Sequence, residues 1–173
     1  MLPVPHSASN DERPVVVVHE YPEKDVDDGV ERDRDLEHLW YSLCEPTFVP
    51  VTLVPVPGVE GASVVELAGR LARVGAWISG SPAVVIDALE LIPPDVDAAA
   101  SVLEQYTEVH PHLLVVVESP TVEPTSIPIL RASRRIVLVV GLGDSRSQEI
   151  ASIEHFIEPH AIFGAVCVDP SRT

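Results

Sequence analysis

Five short apolar runs, each separated from the next by a polar or amphipathic stretch, do most to limit what this chain can fold into. They are "FVPVTLV", "AVVIDAL", "LLVVVES", "RIVLVVG" and "AIFGAVCV". Each is long enough for a strand and too short for a buried helix. Their apolar residues are consecutive rather than alternating. A strand with one wet face alternates, whereas a continuous run is buried on both faces, as in a parallel sheet covered by helices. The intervening stretches "SVVELAGRLARVGA", "DVDAAASVLEQYTEV" and "SRSQEIASIEHFIE" have helical period, and "EPTSIPILRAS" reads as a shorter, weaker helix. The expected fold class is therefore α/β: a doubly wound, mainly parallel sheet with helices on both faces.

The chain has 173 residues, which suits one domain with a sizeable core. Residues 1–13 are rich in Pro, Ser, Asn and Asp and read as a disordered tail. Residues 14–173 read as a single domain carrying an acidic N-terminal segment at about 20–38. Within it, "PVVVVHE" (Pro14 to Glu20) reads as a short strand and "EKDVDDG" as a turn-rich linker. In "VERDRDLEHLWYSLCE", Val30, Leu36, Leu39, Trp40 and Leu43 share roughly one helical face.

The net charge of -16 gives no electrostatic footprint for nucleic acid or anionic lipid. The first residues lack a basic signal-peptide region, and no run reaches the roughly 18 apolar residues of a membrane span. A cytoplasmic protein is expected, without direct membrane insertion and peripheral at the inner membrane only through a partner. Cys44 and Cys167 have no metal spacing and read as buried free thiols. His110-Pro111-His112 lacks a third ligand at useful spacing and reads as a loop pair, so no metal site is expected. Ser133-Arg134-Arg135 reads as a surface cluster at a strand entrance.

In an open α/β sheet, ligands bind outside the carboxyl ends of the strands. Three such ends carry suggestive residues. In "VPGVEGASV", Gly58 and Gly61 allow positive φ and close backbone approach, and Ser63 falls at a helix start, where amide donors favour an anion. "VVIDALEL" places Asp87 at a second strand end, and "LLVVVESP" places Glu118 at a third. The plainer reading of the same residues is a chain turn, a Ser63 helix cap and two loop-capping acids.

Taken in order, "DLEHLWYSL", "VPVPGVEGASVVELAGRLARVGA", "VVIDALEL", "HLLVVVESP", "TSIPILRASRRIVLVV" and "FGAVCVD" resemble the bacterial tyrosine kinases of capsule and exopolysaccharide synthesis. These are relatives of the MinD and ParA P-loop ATPases. The resemblance spans about Leu36 to Asp169 and implies a P-loop NTPase-like fold. Its departures fall on the residues that carry chemistry. The P-loop lysine position holds Ala62, and the hydroxyl position after it keeps Ser63. The second motif's D-A-D-L-R has become Asp87-Ala88-Leu89-Glu90-Leu91. The third motif carries Glu118 in place of Asp, and a downstream acid maps to Ile127. The two arginines of the family's ring-forming helix motif map to Trp40 and Leu43. Tyr21, Tyr41 and Tyr106 are scattered and form no tyrosine-rich tail.

The resemblance thus implies a degenerate nucleotide site at Gly58, Gly61, Ala62, Ser63, Asp87 and Glu118, with no catalytic residue and no cofactor. It implies a pseudokinase acting through protein–protein interaction in bacterial exopolysaccharide or capsule synthesis or export. The expected partner is a membrane polysaccharide co-polymerase or export protein, or an active kinase of the same family, with homo-oligomers allowed. Two alternatives stand beside it: a degenerate MinD/ParA-type positioning or assembly protein, and a weak nucleotide-binding switch.

Overall fold

The computed structural model describes residues 16–22, 33–44, 49–143 and 147–169. The expected tail at 1–13 and most of the acidic segment, with Lys24 and Val30, lie outside the described residues. Among the described residues, five α-helices and six strands follow one another as β1 (Val17–Tyr21), α1 (Arg34–Leu43), β2 (Val51–Pro55), α2 (Gly61–Ser79), β3 (Ala83–Ala88), α3 (Val96–Val109), β4 (His112–Val117), α4 (Ile127–Ala132), β5 (Ile136–Gly141), α5 (Ser147–Glu154) and β6 (Ile162–Val168). Every apolar run in the sequence became a strand, and the segments of helical period became helices. The strands lie in the order β1-β3-β4-β2-β5-β6. β1 is antiparallel to β3, and the other pairings are parallel.

This order fixes where the helices go. The chain leaves β2 past β4 to reach β3, then works back through β4 and past β2 to β5 and β6. Right-handed crossovers in opposite directions place α2 on one face and α3, α4 and α5 on the other. Two cores match this, and alternate strand residues feed each of them. Leu53, Val85, Leu114, Val116 and Val137 face α1 and α2, while Val54, Val84, Ile86, Val115 and Leu138 face α3, α4 and α5. The windings reverse around β2, so the crevice of such a sheet opens at its carboxyl end.

The α1–α2 face is closely fitted. Asp33 caps α1 by accepting hydrogen bonds from the backbone N–H groups of Asp35 and Leu36, at 3.1 and 3.3 Å. Asp35 and Glu37 in the first turn complement the helix dipole. Leu36, Trp40 and Leu43, spaced for one helical stripe, are buried. Gly75 of α2 makes room for Trp40: a Cβ built there would lie 2.2 Å from the indole. Gly69 does the same for the Tyr21 hydroxyl, at 2.6 Å. Arg70 of α2 pairs with Asp33 at 2.7 Å and ties the start of α1 to α2. Gly80, in the left-handed region at φ 63°, ends α2 by donating its N–H to Ala76.

The opposite face is looser. α4 has six residues and covers less of the sheet than a β strand of the same length. Of the 14 residues of α3, only Ala99 is buried. Between these helices, at the amino end of the sheet, runs a groove of about 690 Å³ with Leu113, Val115 and Ile129 in its floor and Ser101, Glu104 and Arg134 on its rim.

Candidate functional site

The loop between β2 and α2 is a closed turn. Val59 donates its backbone N–H to the Val56 carbonyl at 3.0 Å, with Pro57 and Gly58 between them. Pro at the second position and a glycine at φ 99° in the third is the arrangement of a type II β-turn. Gly58 is therefore present for its positive φ. The same bond turns the Val59 amide back onto the chain and away from any ligand. Val56 in turn donates to Val139 of β5 at 2.9 Å, which fastens the loop to the sheet.

Gly61 has ordinary helical geometry and opens α2. Its lack of a side chain serves a close approach. A Cβ at Gly61 would lie 2.8 Å from Leu89 Cδ2 and 3.0 Å from Glu118 Oε2. Two of the chain's own side chains thus converge on the helix start. Glu118 is half-buried at the end of β4, with Oε1 accepting from the Ser119 N–H at 2.9 Å and Oε2 turned to Gly61. A carboxylate there sits well against the positive end of the α2 dipole. Leu89 occupies the position of the second acid in the motif that Asp87 opens, and it puts an isobutyl group where the resemblance implies a carboxylate. Asp87 Oδ1 accepts from the Leu89 N–H at 3.1 Å, a bond that holds Leu89 in place.

The remaining site residues are less engaged. Ala62 is exposed. Ser63 is not the helix cap it was expected to be: Glu60 holds the cap position, without a side-chain hydrogen bond, and Ser63 is the third residue of the helix. The reason is local, since the turn closes at Val59 and the helix starts two residues before Ser63. Of the six expected site residues, the structure brings Gly61 and Glu118 together directly. Asp87 joins them through Leu89, Gly58 shapes the turn, and Ala62 and Ser63 lie on the first turn of α2.

Among the described residues, the charge around the loop is of one sign. Glu60, Asp87, Glu90, Glu118 and Glu123 stand at or beyond the carboxyl strand ends. The described arginines lie elsewhere: Arg34, Arg70 and Arg73 on α1 and along α2, Arg131 on α4, and Arg134 and Arg135 at the amino end of β5. Exposed apolar side chains share the edge with these acids. Ile92, Val122 and Leu142, in the loops after β3, β4 and β5, are 42%, 64% and 56% exposed.

Several further expectations were met differently. Trp40 and Leu43, at the arginine positions of the ring-forming helix motif, are fully buried, so that stripe of α1 belongs to the core. Cys44 is half-buried and Cys167 is exposed, so the second thiol is not the buried one expected. Cys167 sits on β6, an edge strand among the described residues. Burial pushes the Cys44 thiol up, partly offset by the Arg135 charge. Arg135 is no idle surface residue: it donates to the Leu43 carbonyl at the end of α1 and lies 4.6 Å over the Phe163 ring. His112 opens β4 with its ring edge-on to Trp40 at 5.2 Å, and burial holds its pKa below the usual histidine value. No group of three metal-ligating side chains occurs among the described residues. No described helix is long and apolar enough to cross a membrane. Leu89 is the residue beside the loop that sequence reasoning missed, since an apolar residue in a lost motif gives no sign of where its side chain goes.

In comparisons with known proteins, no family model, curated protein or solved structure matches the chain.

Proposed function

We propose that this protein is a non-catalytic, P-loop-like scaffold that works by binding another protein. The observation that carries the reading is the convergence of Leu89 and Glu118 on Gly61. An anion at a helix start needs free amides, open space and positive charge. Here a carboxylate and an isobutyl group take up the space, Val59 spends its amide on the turn, and Ala62 supplies no charge. Bound phosphate would face Glu118 and the other acids of the edge without a described cation to offset them. The exposed Ile92, Val122 and Leu142 beside those acids suit a protein segment that carries apolar and basic side chains. The resemblance to capsule and exopolysaccharide tyrosine kinases supplies the setting: a pseudokinase whose partner is a polysaccharide co-polymerase or export protein, or an active kinase of the same kind.

Calorimetric titration with MgATP and MgADP tests the first half. No heat up to millimolar nucleotide, and no phosphate release, is the expected result, and saturable binding would sink it. The second half is tested by titrating the purified cytoplasmic part of such an export protein. Binding that weakens in Val122→Asp and Leu142→Asp is expected. Absence of binding, or binding indifferent to both changes, rejects the partner.

A further inference from the structure

The groove between α3 and α4 is polar in one sense only. Its volume of about 690 Å³ falls in the range of small-molecule sites. Its floor is apolar, with Leu113, Val115 and Ile129. Four hydroxyls also line it, and each gives its proton to the protein. Ser133 donates to the Ile129 carbonyl at 2.8 Å, so in the 2.6 Å contact between Thr52 and Ser133 it is Thr52 that donates. Ser101 and Thr107 donate back into α3, to the Asp97 and Leu103 carbonyls, at 3.0 and 2.8 Å. What these hydroxyls have left for an occupant is lone pairs. Ala100, Glu104 and Glu108, spaced by four, share one face of α3 and bring two carboxylates to the same wall. Neither glutamate has an ion pair among the described residues. Arg134, on the opposite rim, is the one side chain among the described lining residues with N–H groups to offer.

Such a lining is rich in acceptors and poor in donors, so its occupant has to bring the donors and the positive charge. It also has to bring an apolar body for the floor. We propose that the groove binds an aliphatic polyamine. Its methylenes lie on Leu113, Val115 and Ile129, and its ammonium groups face Glu104, Glu108 and the hydroxyl lone pairs. An ammonium has three N–H donors and no acceptor, the complement of this wall. Four residues of α3 rise about 6 Å, close to the separation of two ammonium groups on a four-carbon chain. An anion would find Arg134 alone against two carboxylates, and a bare metal cation would leave the floor uncovered.

Calorimetric titration of the full chain with spermidine tests the proposal, in salt that screens general attraction to a chain of charge -16. Saturable binding that equimolar magnesium does not displace is expected. Glu104→Gln with Glu108→Gln should weaken it by at least about tenfold, through the loss of two charge-assisted hydrogen bonds. Glu66→Gln with Glu154→Gln makes the same charge change at exposed positions of α2 and α5, and should weaken it by less than about twofold. Ala100→Trp, at an exposed position of the groove wall, should fill the space and abolish binding with the thermal transition unchanged. Absence of saturable binding overturns the proposal, as does displacement by equimolar magnesium. Equal losses from the two glutamate pairs overturn it too, since they would show attraction to the whole chain rather than to this wall. None of these readouts involves nucleotide or the carboxyl edge of the sheet, so this proposal and the scaffold reading fail separately.

Discussion

The two ends of α2 meet their surroundings in opposite ways. At its start, Gly61 is approached by the tips of Leu89 and Glu118, both half-buried and free to shift. Near its end, Gly75 is approached by the indole of Trp40, a rigid ring with no exposed surface. The first contact sits in the loop that looks like a ligand site, and the second sits in a part of the helix with no such look. Tight fit has been concentrated where α1, α2 and β1 pack together. The loop has been left with flexible occupants. A contact of flexible tips holds a shape at little cost to either state, whereas a ring in a notch fixes the angle between two helices.

Five measurements can break or sharpen that contrast. The largest effect is expected from Trp40→Ala, which empties the notch and should lower unfolding free energy by about 3–5 kcal/mol in denaturant titration. A loss below about 1 kcal/mol would mean the notch collapses freely, and the contrast goes with it. Next come the paired changes Gly75→Ala and Gly61→Ala. The former drives a methyl into the indole and should cost about 1–3 kcal/mol. The latter displaces only side-chain tips and gains helix propensity, so its net effect should stay within about 1 kcal/mol. Equal losses from the two glycines would erase the difference between the ends of α2.

Glu118→Gln, which removes the charge facing the start of α2, should cost about 0.3–1 kcal/mol at low salt and less at high salt. In the same spirit, Ala62→Lys alone should not create MgATP binding by calorimetry, because Leu89 and Glu118 still occupy the space. Micromolar binding by that single variant would show the loop to be open. The smallest effect expected is a slope with pH. His112 has a pKa lowered by burial, so its neutral form is favoured in the folded state. Its contribution is full above the ordinary histidine pKa. It is lost as pH falls below that value, because the unfolded chain takes up the proton first, and the loss levels off once pH passes the lowered folded value. The thermal midpoint of the wild type should therefore fall more steeply from pH 7 to pH 5 than that of His112→Gln.

How far the sequence foretold these features depends on the kind of interaction. The parallel strands were visible because burial on both faces forces a long apolar run, as in "LLVVVES" and "RIVLVVG". The antiparallel addition of β1 to β3 was not, since an edge strand such as "VVHEY" says nothing of which neighbour it will join. Asp87 and Glu118 were recognisable as loop-capping acids from their place after apolar runs, and both accept a nearby backbone N–H. The cap of α2 was misplaced because Ser63 is a capping residue by type, whereas the helix already starts at Gly61, two residues earlier. The roles of Gly69 and Gly75 were hidden for a different reason. A glycine within a helix shows what it lacks, and the partner that fills the gap lies more than 30 residues away, as Trp40 does from Gly75.

The antiparallel course of β1 has a practical consequence for anyone attaching this protein to something else. Val17 begins β1 opposite Asp87, near the carboxyl end of β3, and Val168 ends β6 opposite Gly141, at the carboxyl end of β5. Both limits of the described chain therefore open on one rim of the molecule, five strand spacings or about 24 Å apart. A domain inserted directly before Val17 or directly after Val168 would stand on the rim that carries the β2–α2 turn. The α3–α4 groove, on the far rim, would stay turned toward solution.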